Sequence, residues 1–383
     1  MIREPMRRRF AIVAAALLAL SAAPISARAQ LPPDQMTSYK LGAPAPHWAY
    51  IFDSPSSVPQ VSKVYILDTD AQKMLGQLNG GYLASFVAAP DASELYMVGT
   101  FYSRAWHGTR TDAVEIFDAR TLEFKSEVKI PPKRLLIVPK DNSAAVTTDG
   151  RFMLIANMTP ATSVSVVDLK SRKFVGEIET PGCVQVLASG VRKFSSMCAD
   201  GSILTVNLED TGKLESRKQS KPFFDPAKDP VFDQPAIAGT TAYFDSYRGM
   251  IYKVDLSGDE AVAEPGWSAV SDEDNKANWR PGGWQTISAT ADGSVYLLMH
   301  QGGEWTHKQT GKEVWVFDVA KKTRVARIAL KTEAYSIRAS AGPKPILQAL
   351  AIIQSQLETY SLPDGKYIGV YRNLGVPFLI YGP

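Results

Sequence analysis

The chain has 383 residues, 45% of them apolar, with 42 basic and 39 acidic side chains and a formal net charge of +3. The first 29 residues hold five arginines against one glutamate, so the remaining 354 carry 37 basic and 38 acidic groups, a net of −1. So weak a field excludes a protein that works by binding nucleic acid or an anionic membrane, and two cysteines cannot by themselves hold a structural zinc.

Residues 1–29 have the pattern of a secretory signal peptide. Arg3, Arg7, Arg8 and Arg9 precede an apolar run from Phe10 to Leu20, and small residues follow up to Ala27-Arg28-Ala29, a cleavage pattern. The run is shorter than the roughly 20 residues that span a bilayer. Arg7-Arg8-Arg9-Phe10 also suits a twin-arginine signal. Residues 30–383 are expected to be exported, and to form one domain, because a repeat runs through them.

The repeat is an alternating segment that ends in Asp. It occurs as Val64–Asp68 (VYILD), Val114–Asp118 (VEIFD), Val164–Asp168 (VSVVD), Ile251–Asp255 (IYKVD) and Val314–Asp318 (VWVFD). Leu204–Asn207 and Leu357–Ser361 are degenerate copies, and successive copies end 50, 50, 39, 48, 63 and 43 residues apart. A four-stranded propeller blade takes about 40–50 residues. The copy at Val114 sits in such a unit, with strands at Leu83–Ala88, Leu95–Phe101, Ala113–Phe117 and Leu122–Ile130. Turns at Asp149-Gly150, Asp200-Gly201 and Asp292-Gly293 are hairpin signals.

Seven copies predict an all-β fold, a seven-bladed β-propeller of four-stranded antiparallel blades over residues 30–383. The first strand is Trp48–Asp53. The last, Val376–Tyr381, is expected to complete the first blade and close the ring, since an exposed apolar edge is an aggregation hazard. Pro345–Gln356 has a helical look, but its place in the order favours strand, and no helix of consequence is expected. Cys183 and Cys198 bracket a hairpin that would set them face to face, as a disulfide or as two buried free thiols.

The chain carries no H-E-x-x-H, P-loop or G-x-S-x-G motif, and no catalytic constellation emerges. His300 and His307 fall where a solvent-exposed loop is expected. Phe101–Gly108 (FYSRAWHG) is read as a long loop on one rim of the disc, rich in the aromatics and arginine that interfaces use. Trp279–Gln285 (WRPGGWQ) is read as a tight turn between two tryptophans.

Taken in order, Arg110–Asp118, Pro131–Arg134, Thr148–Arg151, Pro160–Asp168, Trp279–Gln285 and Thr306–Lys308 resemble the large (heavy, alpha) subunit of tryptophan tryptophylquinone-dependent amine dehydrogenases, of both methylamine and aromatic-amine types. The resemblance spans nearly all of residues 30–383. It implies a periplasmic α2β2 heterotetramer in which this chain has no cofactor and no catalytic residue of its own. The small (light) subunit carries the tryptophan tryptophylquinone and oxidatively deaminates a primary amine to aldehyde and ammonia. Electrons then pass to a blue copper protein of amicyanin or azurin type. The resemblance also implies that an aromatic of the second-blade segment lines the substrate channel at the subunit interface, at Tyr102 with Phe101 beside it, and that Cys183 and Cys198 form a disulfide. Methylamine-type members have Phe at the Tyr102 position. Two other readings remain open on sequence alone: a stand-alone periplasmic propeller that binds a partner without a quinone subunit, and an independent enzyme using the central channel.

Overall fold

In the computed structural model, which describes residues 39–54, 61–136 and 138–383, each copy of the repeat is the third strand of a blade. The segment read as a signal peptide lies outside the described residues. From the axis outward the second blade runs Tyr82–Ala88, Glu94–Arg104, His107–Asp118 and Phe124–Ile130. The third runs Ala144–Val146, Phe152–Asn157, Ser163–Asp168 and Lys173–Glu179, and the fourth Cys183–Gly190, Lys193–Cys198, Ile203–Leu208 and Leu214–Gln219. The fifth has Ala236–Ala238, Thr241–Asp245, Met250–Asp255 and a divided outer strand, Val262–Ala263 with Trp267–Ser268. In the sixth it is the inner strand that is divided, Trp279–Pro281 and Ile287–Ala289, before Ser294–Gln301, Gly311–Asp318 and Thr323–Ala334. The seventh runs Ser336–Ala339, Ile346–Ala351, Gln356–Ser361 and Tyr367–Arg372.

The first blade joins the two ends of this order. Pro377–Tyr381 is its inner strand and pairs antiparallel with Trp48–Asp53, setting Tyr50 opposite Tyr381 and Ile51 opposite Ile380. Ser62–Asp68 and Lys73–Gly80 lie outside them. The ring is therefore closed by the C-terminal strand, as the repeat order predicts.

The recurrent Asp has a local task. Asp68, Asp118 and Asp168 each accept two backbone N–H bonds from the turn that follows, Asp118 from Arg120 and Thr121 at 2.9 and 3.0 Å. These are side-chain mimics of a backbone turn. The two amides hold the Asp118 carboxyl below the usual carboxylate range. A residue in the turn before the fourth strand takes positive φ at Gln72, Leu122, Arg172 and Lys322, and the third–fourth ladder shifts register at the same place in blades one, two, three and six. The repeat thus encodes a turn together with a bulge, which increases the local twist.

Packing follows from stacking the blades face to face. Trp48–Asp53, Phe152–Asn157 and Ser163–Asp168 are buried along their whole lengths, whereas the outer strand Leu214–Gln219 is exposed throughout. Core clusters lie between blades: Tyr50 and Phe52 meet Phe86 and Met97, and Val98 and Val114 meet Met153 and Ile155. Each fully buried Phe or Leu there contributes roughly 1.5–3 kcal/mol relative to exposure. Cys183 and Cys198 are directly opposite across the inner hairpin of the fourth blade and are disulfide-bonded.

The structure corrects three expectations. Phe101–Gly108 is no loop: the ladder of the second blade continues through Phe101↔Thr111 and Tyr102↔Arg110 to Arg104↔His107, turning at Ala105-Trp106 with Ala105 at φ 57°. His300 is not in an exposed loop but in the strand Ser294–Gln301, where it is buried and its Nε2 meets the Thr306 hydroxyl at 2.8 Å. Trp279–Gln285 is not a simple turn but part of the divided inner strand of the sixth blade. Within Pro345–Gln356, Ile346–Ala351 is a buried strand, and Ile352–Ser355 turns the chain into the next one at Gln356. One helical turn, Asp272–Lys276, lies before the sixth blade, fixed by a Ser271–Asp274 capping box.

Candidate functional site

Strands alternate in direction within each blade, so every link between second and third strands emerges on one face of the disc. That face carries the second-blade hairpin, whose tip residue Trp106 is 65% exposed. It also carries Met158, Trp305 and Ile353 on the corresponding links of the third, sixth and seventh blades, all exposed. Large apolar groups on four separate links of one face make a surface suited to a protein partner.

The hairpin rises from a buried polar base. Thr100 pairs with Asp112 across the ladder and donates from Oγ1 to Oδ1 of Asp112 at 2.7 Å. Arg110, half-buried, grips the same carboxylate in a fork, Nε at 2.9 Å and a terminal nitrogen at 2.7 Å. Arg134 enters from the connection to the third blade. Its backbone N–H donates to Asp112, and its guanidinium donates to the Thr100 hydroxyl and to the carbonyls of Tyr82 and Leu83. Burial pulls the Arg134 guanidinium down to about 10, with the Asp112 charge opposing. One cation, Arg110, thus pairs with a fully buried carboxylate that also receives the Arg134 backbone N–H, and the Arg134 guanidinium ties the start of the inner strand to the hairpin above it.

Phe101 and Tyr102 project from opposite faces of this hairpin, as adjacent strand residues must. Phe101 lies over Gly81 and Gly99; a Cβ on either glycine would come within 2.8 or 2.9 Å of its ring. Tyr102, on the side of Thr100 and Asp112, meets Tyr82 edge to face at 6.2 Å between centroids. Both rings are half-buried. The structure brings the two residues to the rim but to different sides of it.

Trp284 sits towards the axis, where its indole N–H donates to Pro139 O at 2.7 Å and its ring stacks on Tyr335. Lys140 lies 5.0 Å over the Trp284 ring and is paired with Asp233. Further out, His307 stacks on Tyr247 at 4.0 Å, beside Trp305. Burial lowers the pKa of His307, with Lys308 acting in the same direction. Among the described residues no three His, Cys, Asp or Glu side chains group as metal ligands. A quinone made from two tryptophans needs joined indoles open to substrate. The one contacting pair among the described residues, Trp279 and Trp315, has centroids 5.3 Å apart and is buried beneath Arg327. These residues do not fit such a group.

The sequence reading placed this segment at the rim but as a loop, and it did not foresee the base, although Asp112 and Arg134 fall in two of the segments that carry the family resemblance. Thr100, Asp112 and Arg134 are unremarkable as residue types, and they converge only through the ladder and the turn into the third blade.

Fold and rim together define the class: a closed seven-bladed propeller with an aromatic hairpin raised on one face. The chain belongs to the methylamine dehydrogenase heavy chain family, whose model matches residues 47–381. It is therefore a subunit of an amine dehydrogenase. It is 30% identical over 336 residues to the methylamine dehydrogenase heavy chain of Methylophilus methylotrophus, covering 87% of this chain and 82% of that one. To the heavy chain of Methylorubrum extorquens it is 29% identical over 330 residues, covering 85% and 80%. Among solved structures, a protein of unknown function from Desulfotomaculum acetoxidans superimposes with a TM-score of 0.61 at 13% identity, covering 88% of this chain and 98% of that one. At that identity the likeness concerns the fold alone.

Proposed function

We propose that this chain is the non-catalytic heavy subunit of a periplasmic quinoprotein amine dehydrogenase. In this reading residues 1–29 direct export and are removed after Ala29. A small subunit carrying tryptophan tryptophylquinone docks on the hairpin face, two copies of each subunit assembling as α2β2. The complex converts a primary amine to aldehyde and ammonia and hands electrons to a blue copper protein. The quinone supplies the oxidation; this chain supplies a rigid rim that excludes water and shapes the approach to it. Tyr102 stands at the mouth of the amine channel, while Phe101, seated on Gly81 and Gly99, sets the angle of the hairpin.

The observation that carries the reading is the second-blade hairpin, held upright by the Arg110–Asp112–Arg134 base in a chain of the heavy-chain family. The test is purification of the tagged chain from the periplasm of its host grown on an amine. A small co-purifying subunit with a visible absorbance that amine bleaches is the expected result. A colourless propeller eluting alone from amine-oxidising cells would replace this reading with a free-standing binding module.

A further inference from the structure

The inner strand of the second blade carries a bulge near its start. Tyr82 pairs with Thr100 and Ser85 with Val98, so three steps along the inner strand answer two on its neighbour. Leu83 takes φ 40°, in the left-handed region that a bulky side chain rarely enters. The bulge frees backbone groups, and side chains from elsewhere take three of them. Arg134, from the connection into the third blade, donates to the carbonyls of Tyr82 and Leu83 at 3.2 and 2.6 Å. Ser62, at the start of the third strand of the first blade, accepts from the Ala84 N–H at 3.0 Å. Both side chains belong to buried residues, so the distorted backbone is held from the two neighbouring blades at once.

A bulge of this kind re-aims a side chain. Tyr82 lies opposite Thr100, and Thr100 shares a strand face with Tyr102, so the two tyrosines are diagonal neighbours across the ladder. Their rings meet edge to face, with 6.2 Å between centroids and 89° between planes. Arg134 also donates to the Thr100 hydroxyl at 3.0 Å, at the rung that both rings adjoin. The fourth blade bulges at the equivalent place, with Gln185 at φ 66°, but there the residue on the first rung is Cys183, bonded to Cys198. The bulge therefore belongs to the fold, and what it aims depends on the residue it carries: a crosslink in one blade, an aromatic ring in the other. Tyr82 and Tyr102 are both half-buried, which makes the pair part of the rim surface and not of a blade core.

We propose that Tyr82 is a positioning residue for Tyr102, and that selectivity among primary amines depends on the pair and not on Tyr102 alone. The inference rests on the reading that Tyr102 lines the amine channel. Tyr102 has no other aromatic neighbour among the described residues, and an edge-to-face contact is strong enough to choose between side-chain rotamers. Without the Tyr82 ring, Tyr102 is free to swing off the channel mouth. The mouth then widens for bulky amines, as it would on loss of the Tyr102 ring itself.

The test is a double-substitution cycle in the purified complex, read as the ratio of kcat/KM for 2-phenylethylamine to that for methylamine. Tyr82→Ala should raise this ratio by about two- to tenfold, the range set by one aromatic pair, in the same direction as Tyr102→Ala. The double variant should add little to Tyr102→Ala, because Tyr82 acts only through that ring. Tyr82→Phe, which keeps the ring, should restore the parent ratio. A merely structural role for Tyr82 would lower both values of kcat/KM together and leave the ratio unmoved. That outcome, with a changed ratio in Tyr102→Ala, would overturn the positioning role and leave the channel reading intact. Effects that multiply in the double variant would overturn it as well. An unmoved ratio in Tyr102→Ala would instead remove Tyr102 from the channel, and the positioning role with it. Should Tyr82→Ala fail to fold, Tyr82→Leu, which fills the space without a ring, decides.

Discussion

Arg134 and Asp112 meet where the second blade passes to the third, the backbone N–H of Arg134 donating to Oδ2 of Asp112 at 3.3 Å. The contact couples the foot of the hairpin to the next blade, so the rim that bears Tyr102 is positioned by a carboxylate two ladder rungs below it. Asp112→Ala should destabilise the chain by about 3–5 kcal/mol, as removing one member of a buried, hydrogen-bonded ion pair does. Asp112→Asn keeps the hydrogen bonds in part and should cost less. Urea unfolding of both variants checks the order. Equal, small losses would mean that Arg110 and Arg134 find other partners.

At the rim itself, Tyr102→Ala should change the preference between small and aromatic amines without altering the unfolding midpoint. The quantity to measure is kcat/KM for a series of primary amines in the complete complex. A uniform ratio across the series would remove Tyr102 from the channel.

Trp106, 65% exposed at the hairpin tip, is expected to be covered by the small subunit. Trp106→Ala should weaken subunit association about tenfold or more, as loss of an interface anchor does. Sedimentation of the complex over a dilution series reads the effect; unchanged dissociation would place the docking surface elsewhere.

Asp245 is fully buried, and neither carboxylate oxygen has a hydrogen-bond partner. Burial raises its pKa from an ordinary 3.8 to about 7, with the neighbouring Thr286 hydroxyl opposing. Because the folded value lies above the unfolded one, the folded chain holds this proton longer. The contribution to stability is fully present below about pH 4 and is lost as pH rises towards about 7. Asp245→Asn should therefore be more stable than the parent above that range, by on the order of 2–4 kcal/mol, and similar to it in acid. Unfolding midpoints at both ends of the range check the sign.

The Cys183–Cys198 bond closes a 15-residue separation across one hairpin. Replacing both cysteines by Ser should cost about 3 kcal/mol in the loop-entropy picture and leave the fold unchanged. Calorimetry of the double variant measures it.

Much of the architecture was legible because the repeat is a chemical device. An Asp that caps a turn after an alternating strand leaves a mark in sequence, and Asp68, Asp118 and Asp168 perform the same act in three blades. The ring closure was legible for a related reason: a chain that starts on the second strand of a blade leaves a vacancy for its last segment. The hairpin at Phe101–Gly108 was not, because its extension beyond the blade has no buried face. Ser103, Arg104, His107 and Gly108 show no apolar alternation, and the Arg104↔His107 pair and the bond from Thr109 N–H to the Ser103 hydroxyl hold them without a buried face. His300 was missed because Gly302-Gly303 just after it reads as loop, although the strand continues through it to Gln301. Asp112 and Arg134 fall in segments that carry the family resemblance, but neither gave a local signal of the base they form. Their surroundings are assembled from segments far apart in the chain.

The pairing of Trp48–Asp53 with Pro377–Tyr381 has a consequence for how the molecule comes into being. Six blades can be built from contiguous chain, but the first must wait for the final residues. Its assembly is governed by contacts of the largest sequence separation in the molecule, the kind that slow folding. Until they form, Tyr50, Ile51 and Phe52 border an open seam. An arriving nascent chain is therefore most vulnerable to association with its neighbours at the moment just before completion, and a cut that removes only the last few residues takes away the seal of the ring rather than a loose end.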